Sequence, residues 1–396
     1  MEVIMLGKFI TLLIFSSILG LGAINTEGLG TGYDESLYSL MTPDYQQHYY
    51  LTATPADLYK HGVPRKVRGI YLSGGSVGSE ERLNKYINLA RETEINSFVI
   101  DVKDDNGKMT YASEVPIVKE VEANKSVRIK DIRGLLYQLQ REQIYPIARI
   151  VVFKDPYLPG VRQDLAIKRK DGQIWRDPGG VMWVDPHNKE VWEYSIEIAK
   201  EAAKYGFREI QFDYVRFPEN GRLIDQQASF PNKNGRSKAE VIEEFLIYAR
   251  EQLDPYNVFI SADVFGLTTS VQDDMNIGQD WNKISSVVDY ICPMIYPSHY
   301  GPGNYGLANP NAQPYQTVSR ALKDAITKNR SLEEAGKIPA IVRPWLQDFT
   351  MGGVIYGPEE VVAQIKAGEE LGIDEYIMWN AANRYNEKAW RELRRR

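Results

Sequence analysis

The stretch Glu209-Ile-Gln-Phe-Asp-Tyr-Val-Arg-Phe-Pro218 begins as a strand buried on both faces and ends in an acid, a base and a proline. Ile210, Phe212 and Tyr214 share one parity and Gln211, Asp213 and Val215 the other, so Asp213 projects opposite the apolar residues. A parallel strand is covered on both faces, and an ionised aspartate in its second half needs partners or a chemical role. Two readings stand open here: a structural ion pair between Asp213 and Arg216, or an active site at the mouth of a barrel.

Outward from this strand, the chain after residue 66 alternates β-like and amphipathic helical runs, the pattern of a parallel sheet. Strands are expected at Val67 to Gly74, Ser97 to Lys103, Tyr145 to Phe153, Arg208 to Phe217, Val258 to Gly266, Asp289 to Pro297, Ile338 to Trp345 and Glu375 to Ala381. Helices are expected at Ser79 to Thr93, Ile129 to Gln143, Asn188 to Tyr205, Lys238 to Leu253, Trp281 to Ser286, Pro314 to Lys328, Pro358 to Leu371 and Asn386 to Arg395. Eight strand–helix units predict an α/β fold of the (β/α)8 barrel type over residues 67–396, one large domain. The alternative is an open doubly wound sheet, which usually carries a glycine-rich first turn for a nucleotide. Ser73-Gly-Gly-Ser-Val-Gly78 lacks that spacing and reads as a turn.

Of 396 residues, 43% are hydrophobic, enough for a large core, and the net charge of -6 offers no global attraction to nucleic acid or anionic membrane. The single cysteine, Cys292, lies in an apolar run; it cannot form an intrachain disulfide and reads as a buried, inert thiol. His48, His61, His187 and His299 show no metal-binding spacing, so neither a metal nor a cofactor is expected. Lys8 precedes the apolar stretch Phe9 to Ile24, so residues 1–24 read as a signal peptide or signal anchor. Its orientation would export everything downstream, to the outside of the cell or to the outer face of the cytoplasmic membrane. Membrane contact would then come only through this segment, if uncleaved. Residues 25–66 show no periodicity and read as a linker or surface arm.

Barrel enzymes build their sites at the carboxyl ends of strands. There the sequence offers Asp101 and Asp104 on strand two, Arg149 on three, Asp213 and Arg216 on four, Asp263 on five and Tyr296 on six. Strand seven adds Arg343, Trp345 and Asp348, and strand eight Trp379 and Asn380. Parity gathers Asp101, Arg149, Asp213, Asp263 and Arg343 inside one mouth, whereas Glu209 and Glu375, at strand beginnings, read as structural. Such a cluster could bind a cation, cleave glycosides with a carboxylate pair, or serve structure alone; the arginines offset the charge a cation would need. The aromatic content, with 25 Tyr and 7 Trp, and the export signal favour the glycoside reading. Asp213 and Asp263, on neighbouring strands and both facing inward, are then the natural pair. A polysaccharide or oligosaccharide is the expected partner, with Trp183, Tyr296, Trp345 and Trp379 as stacking surfaces. Asp101, Asp104, Arg149, Arg216, Arg343 and Asn380 are the expected polar contacts, and Arg149 and Arg216 are expected to orient Asp213. The loop Lys154 to His187, which carries Trp175 and Trp183, is too long to be a bare connector.

Phe212-Asp-Tyr-Val-Arg-Phe-Pro218, Trp183-Val-Asp-Pro-His-Asn-Lys-Glu-Val-Trp192, Val67-Arg-Gly-Ile-Tyr-Leu72 and Phe98-Val-Ile-Asp-Val-Lys-Asp104 together resemble a bacterial family of glycosyl-hydrolase-like domains of uncharacterised function. The resemblance covers residues 65 to 390. That family is similar to the α-amylase-like barrels. The similarity implies that Asp213 is the nucleophile, Asp263 the general acid/base and Asp348 a third carboxylate. Amylase-like enzymes place a Glu on strand five, where Ser261-Ala-Asp-Val-Phe-Gly266 has only an Asp, so Asp101, Asp104 and Asp348 stand as substitutes for the acid. A carbohydrate-binding scaffold without chemistry and a metal-dependent hydrolase are the alternative functions.

Overall fold

In the computed structural model, which describes residues 66–219 and 221–393, strand alternation sorts side chains into two layers. The expected signal segment and all of the expected linker but residue 66 lie outside the described residues. Eight parallel strands carry the alternation: β1 Arg68–Leu72, β2 Ser97–Lys103, β3 Tyr145–Val151, β4 Glu209–Asp213, β5 Phe259–Phe265, β6 Tyr290–Ile295, β7 in two pieces Ile341–Val342 and Trp345–Gln347, and β8 Tyr376–Trp379. Each pairs with the next, and β8 pairs with β1, so the sheet closes into a (β/α)8 barrel. The crossover helices are α1 Glu80–Glu92, α2 Ile132–Arg141, α3 Lys189–Tyr205, α4 Lys238–Leu253, α5 Trp281–Ser285, α6 Pro314–Glu334, α7 Pro358–Glu369 and α8 Glu387–Leu393. Among the described residues, no helix is long and apolar enough to cross a membrane.

Outward-facing strand residues such as Ile70, Phe98, Ile100, Ile210 and Phe212 join the core beneath the helices. Phe212 meets Phe245 of α4 edge-on at 5.3 Å. The opposite parity, including Tyr71, Val99, Ile147, Cys292, Trp345 and Ile377, fills the barrel itself. Helix starts follow from local capping. Ser237 and Glu240 form a reciprocal box at α4, and Asn188 accepts the Glu190 N–H at α3.

At the N-terminal floor of the barrel, Arg343 donates to Glu209 Oε1 and Oε2 at 2.8 and 2.9 Å and to Glu375 Oε2 at 2.9 Å. Its guanidinium carbon lies 3.5 Å from the centre of the Tyr290 ring. Glu209 and Glu375 are thus structural, as their positions at strand beginnings imply. Arg343 joins them instead of the mouth. The seventh strand begins at Ile341, three residues later than its hydrophobic run suggests, which lowers Arg343 toward the floor.

The fourth strand also stops early. Tyr214 has a φ of 49°, the left-handed region that a bulky side chain rarely adopts, and the chain turns there, short of Phe217. Cys292 is fully buried, and burial pushes its thiol well above its usual range.

Candidate active site

Arg149, on β3, is the centre to which the carboxylates converge, and only 1% of it is exposed. Its Nε and Nη2 donate to Asp213 Oδ2 at 2.9 and 2.6 Å, and Nη1 donates to Asp101 Oδ1 at 2.7 Å. Longer contacts of 3.3 and 3.4 Å reach Asp105. Burial opposes the charge on Arg149, but Asp213, Asp105 and Asp101 more than offset it and hold the guanidinium protonated. The place a cation would take among these acids is filled by an arginine. Among the described residues no group of His, Cys, Asp and Glu is arranged to hold a metal ion.

The two carboxylates of the expected pair have different environments. Asp213 accepts two Arg149 N–H groups on Oδ2 and the Tyr214 backbone N–H on Oδ1 at 2.6 Å. Tyr214, which supplies that last donor, has a left-handed backbone, an instance of a strained residue beside a candidate functional group. Asp263 receives one side-chain hydrogen bond, from Trp345 Nε1 to Oδ1 at 2.6 Å. Burial, and then the neighbouring Asp213, push the Asp263 carboxyl well above the ordinary carboxylate range. Asp101 is raised to about 6, chiefly by burial, although Arg149 and the Tyr71 hydroxyl, 2.6 Å from Oδ2, act against that.

Asp213, Asp263, Arg149, Arg216, Tyr296, Trp345 and Trp379 share the wall of one open cavity of about 470 Å³ at the C-terminal ends of the strands. Trp379 stacks on Tyr71 with ring centres 4.2 Å apart, and Arg149 lies 5.4 Å from the Trp379 ring centre. Tyr296 meets Phe349 and His299 edge-on at 5.7 and 5.3 Å.

Other expected residues go elsewhere. Arg216 lines the cavity but does not orient Asp213: it donates to the Phe217 carbonyl and Glu219 and is enclosed by Trp183, Tyr214 and Phe265, and burial lowers its proton affinity. Trp183 lies behind Arg216 and donates its indole N–H to Asp177. Asp348 points away from the cavity; the Asn386 backbone and side-chain N–H groups engage its carboxylate, and burial raises it to about 6. The Asn380 amide donates to the carbonyls of Asp348 and Arg384 and braces the same loop. Asp104 closes a turn by accepting from the backbones of Asn106 and Lys108. Asp101 sits behind Arg149 as part of its support.

Asp105, the next residue at the end of strand two, lines the cavity in place of Asp104. A register shift between Asp101 and Lys103 changes the parity there. Lys103 turns outward to a buried ion pair with Asp155 at 2.7 Å, and the turn that follows presents Asp105 to Arg149. Tyr71, Tyr214, Glu219 and His299 were missed. Only Tyr71 had a signal, since it shares inward parity with the other barrel residues.

A family described as "Putative glycosyl hydrolase domain" matches residues 69–385. No curated protein matches the chain. Among solved structures, the glycoside hydrolase domain of PgaB (BpsB) from Bordetella bronchiseptica is similar with a TM-score of 0.60 and 13% identity, over 83% of this chain and 98% of that one. The α-galactosidase TtGalA from Thermus thermophilus gives 0.50 and 11%, over 84% and 61%. A hypothetical protein from Ruminiclostridium thermocellum is 47% identical over 49% of this chain and 97% of its own, with a TM-score of 0.45. The chain belongs to the glycosyl hydrolase domain family.

Proposed function

From that family membership, we propose that the protein is an exported glycoside hydrolase that cleaves glycosidic bonds of a cell-surface or extracellular polysaccharide with Asp213 and Asp263. The observation that carries this reading is the contrast between the two aspartates on one cavity wall. Asp213 is held by a cation and a backbone donor, which support its negative charge. Asp263 is buried, without a cation bonded to it, and pushed toward its neutral form. A carboxyl pushed toward its neutral form, beside one gripped by a guanidinium, places a proton donor next to a candidate nucleophile. Asp263 then protonates the departing glycosidic oxygen while Asp213 attacks the anomeric carbon. Asp263, now ionised, takes a proton from the water that hydrolyses the glycosyl ester. Arg149 fixes the attacking carboxylate, and Trp379 and Tyr296 offer flat faces to sugar rings. The export reading rests on Lys8 followed by the apolar stretch Phe9 to Ile24.

The test is glycan release by the full-length chain from a panel of bacterial cell-wall and exopolysaccharides, beside Asp213→Asn. Release by the wild type alone supports the assignment, and equal release by both sinks it. The short reach of an Asp on the fifth strand favours a second reading, a sugar-binding scaffold. Binding without release by either protein would select it.

A further inference from the structure

We infer that Trp345 is a positioning residue for Asp263 and not a platform for a sugar ring; the inference rests on the reading of Asp263 as the proton donor. Trp345 is 1% exposed, too enclosed to offer a ring face, and its ring meets Trp379 edge-on at 5.6 Å. It stands on β7 and reaches across the barrel to Asp263 on β5, passing over β6. Both lie on odd-numbered strands, as do Tyr71 and Arg149, and alternate strands fill a barrel in common layers. The main chain of Asp263 is held separately: Gln279 Nε2 donates to its carbonyl at 3.0 Å, and Gln279 Oε1 accepts the Phe265 N–H at 2.9 Å. Backbone and carboxyl are therefore fixed by different partners.

An indole N–H only donates, so Oδ1 of Asp263 is an acceptor, and since the carbonyl oxygen of a protonated carboxyl accepts better than its hydroxyl, the hydrogen bond favours a proton on Oδ2. The titratable and charged groups facing Asp263 are Asp213 and Glu209 from β4, Arg149 from β3, Cys292 from β6 and Tyr296 just beyond it. Among the described residues, the hydrogen bond to the Asp263 carboxyl comes from Trp345, and the Arg149 hydrogen bonds go to Asp213, Asp101 and Asp105. Trp345 thus biases which oxygen carries the proton. By stabilising the ionised form it also eases the proton's departure.

The test is a pH titration of the buried carboxyl band by difference infrared spectroscopy on the full chain, comparing wild type, Asp263→Asn and Trp345→Phe. The band absent from Asp263→Asn is expected to persist to higher pH in Trp345→Phe. On the glycan that the wild type releases, Trp345→Phe is expected to lower kcat by about tenfold or more with KM changed less than about threefold. An unmoved band, or a raised KM with kcat intact, overturns the inference. Should Trp345→Phe fail to fold, the indole resonances of the seven tryptophans decide. One must titrate in the wild type and not in Asp263→Asn, and its failure to do so overturns the inference equally. The two readings fail separately: release by Asp213→Asn at the wild-type rate counts against the catalytic assignment, an unmoved band against Trp345.

Discussion

One oxygen of Asp213 receives two N–H groups of Arg149, at 2.9 and 2.6 Å, and the other the Tyr214 backbone N–H, so one planar group grips one end of the carboxylate while the main chain holds the other. That group also serves Asp101 and Asp105, and its removal would leave three acids around an empty centre. Arg149→Met is expected to abolish glycan release and to destabilise the fold by about 3–5 kcal/mol, the usual cost of removing one partner from a buried ion pair. Arg149→Lys should recover more of the stability than of the activity, since an ammonium cannot reproduce the two-point grip. Urea unfolding beside release assays checks both.

The Asp101 carboxyl carries a pH signature. Its folded-state value is raised from 3.8 to about 6, so between those values the folded chain holds a proton that the unfolded chain has lost. The contribution is fully present below about pH 4 and is lost as pH rises through about 6, a decline of about 3 kcal/mol at most. Asp101→Asn keeps an acceptor for Arg149 and has no proton to lose. Urea melts from pH 4 to 7 should show a shallower fall in the variant, and parallel curves would refute the assignment.

Arg343 predicts the opposite partition between stability and function. It is wholly buried with Glu209 and Glu375 at the floor, away from the cavity. Arg343→Met is expected to lower the unfolding free energy by about 3–5 kcal/mol. The KM of the protein that remains folded should be unchanged. A rise in KM would place Arg343 in substrate contact after all.

Trp379 is partly exposed on the cavity wall and backed by Tyr71. Trp379→Ala is expected to raise KM roughly three- to tenfold, the scale of one aromatic stacking contact. Steady-state kinetics on the released glycan measures this.

Much of this arrangement was legible in the sequence, because strand parity is a strict rule. It placed Asp101, Arg149, Asp213 and Asp263 inside the barrel, and the strand–helix alternation supplied the closure. Parity says nothing about depth, so Arg343 was read at the mouth when a three-residue offset in its strand carries it toward the floor. Local breaks in regularity were equally invisible. The irregularity after Asp101 exchanged Asp104 for Asp105, and the left-handed turn at Tyr214 ends the strand, so that parity no longer governs Arg216, which turns to the Phe217 carbonyl and Glu219. Composition reports the Trp345 ring and so suggests a stacking surface, whereas burial and the N–H donated to Asp263 become visible only in the fold.

The ion-paired floor has a topological consequence. Among the described residues, Arg343, Glu209, Glu375 and Tyr290 plug the lower end of the barrel, so the cavity that holds Asp213 and Asp263 is a blind cup that opens at the C-terminal ends of the strands. On the proposed function, a glycan would reach Asp213 and Asp263 from the brim alone, and the cleaved ends would leave by the side they entered.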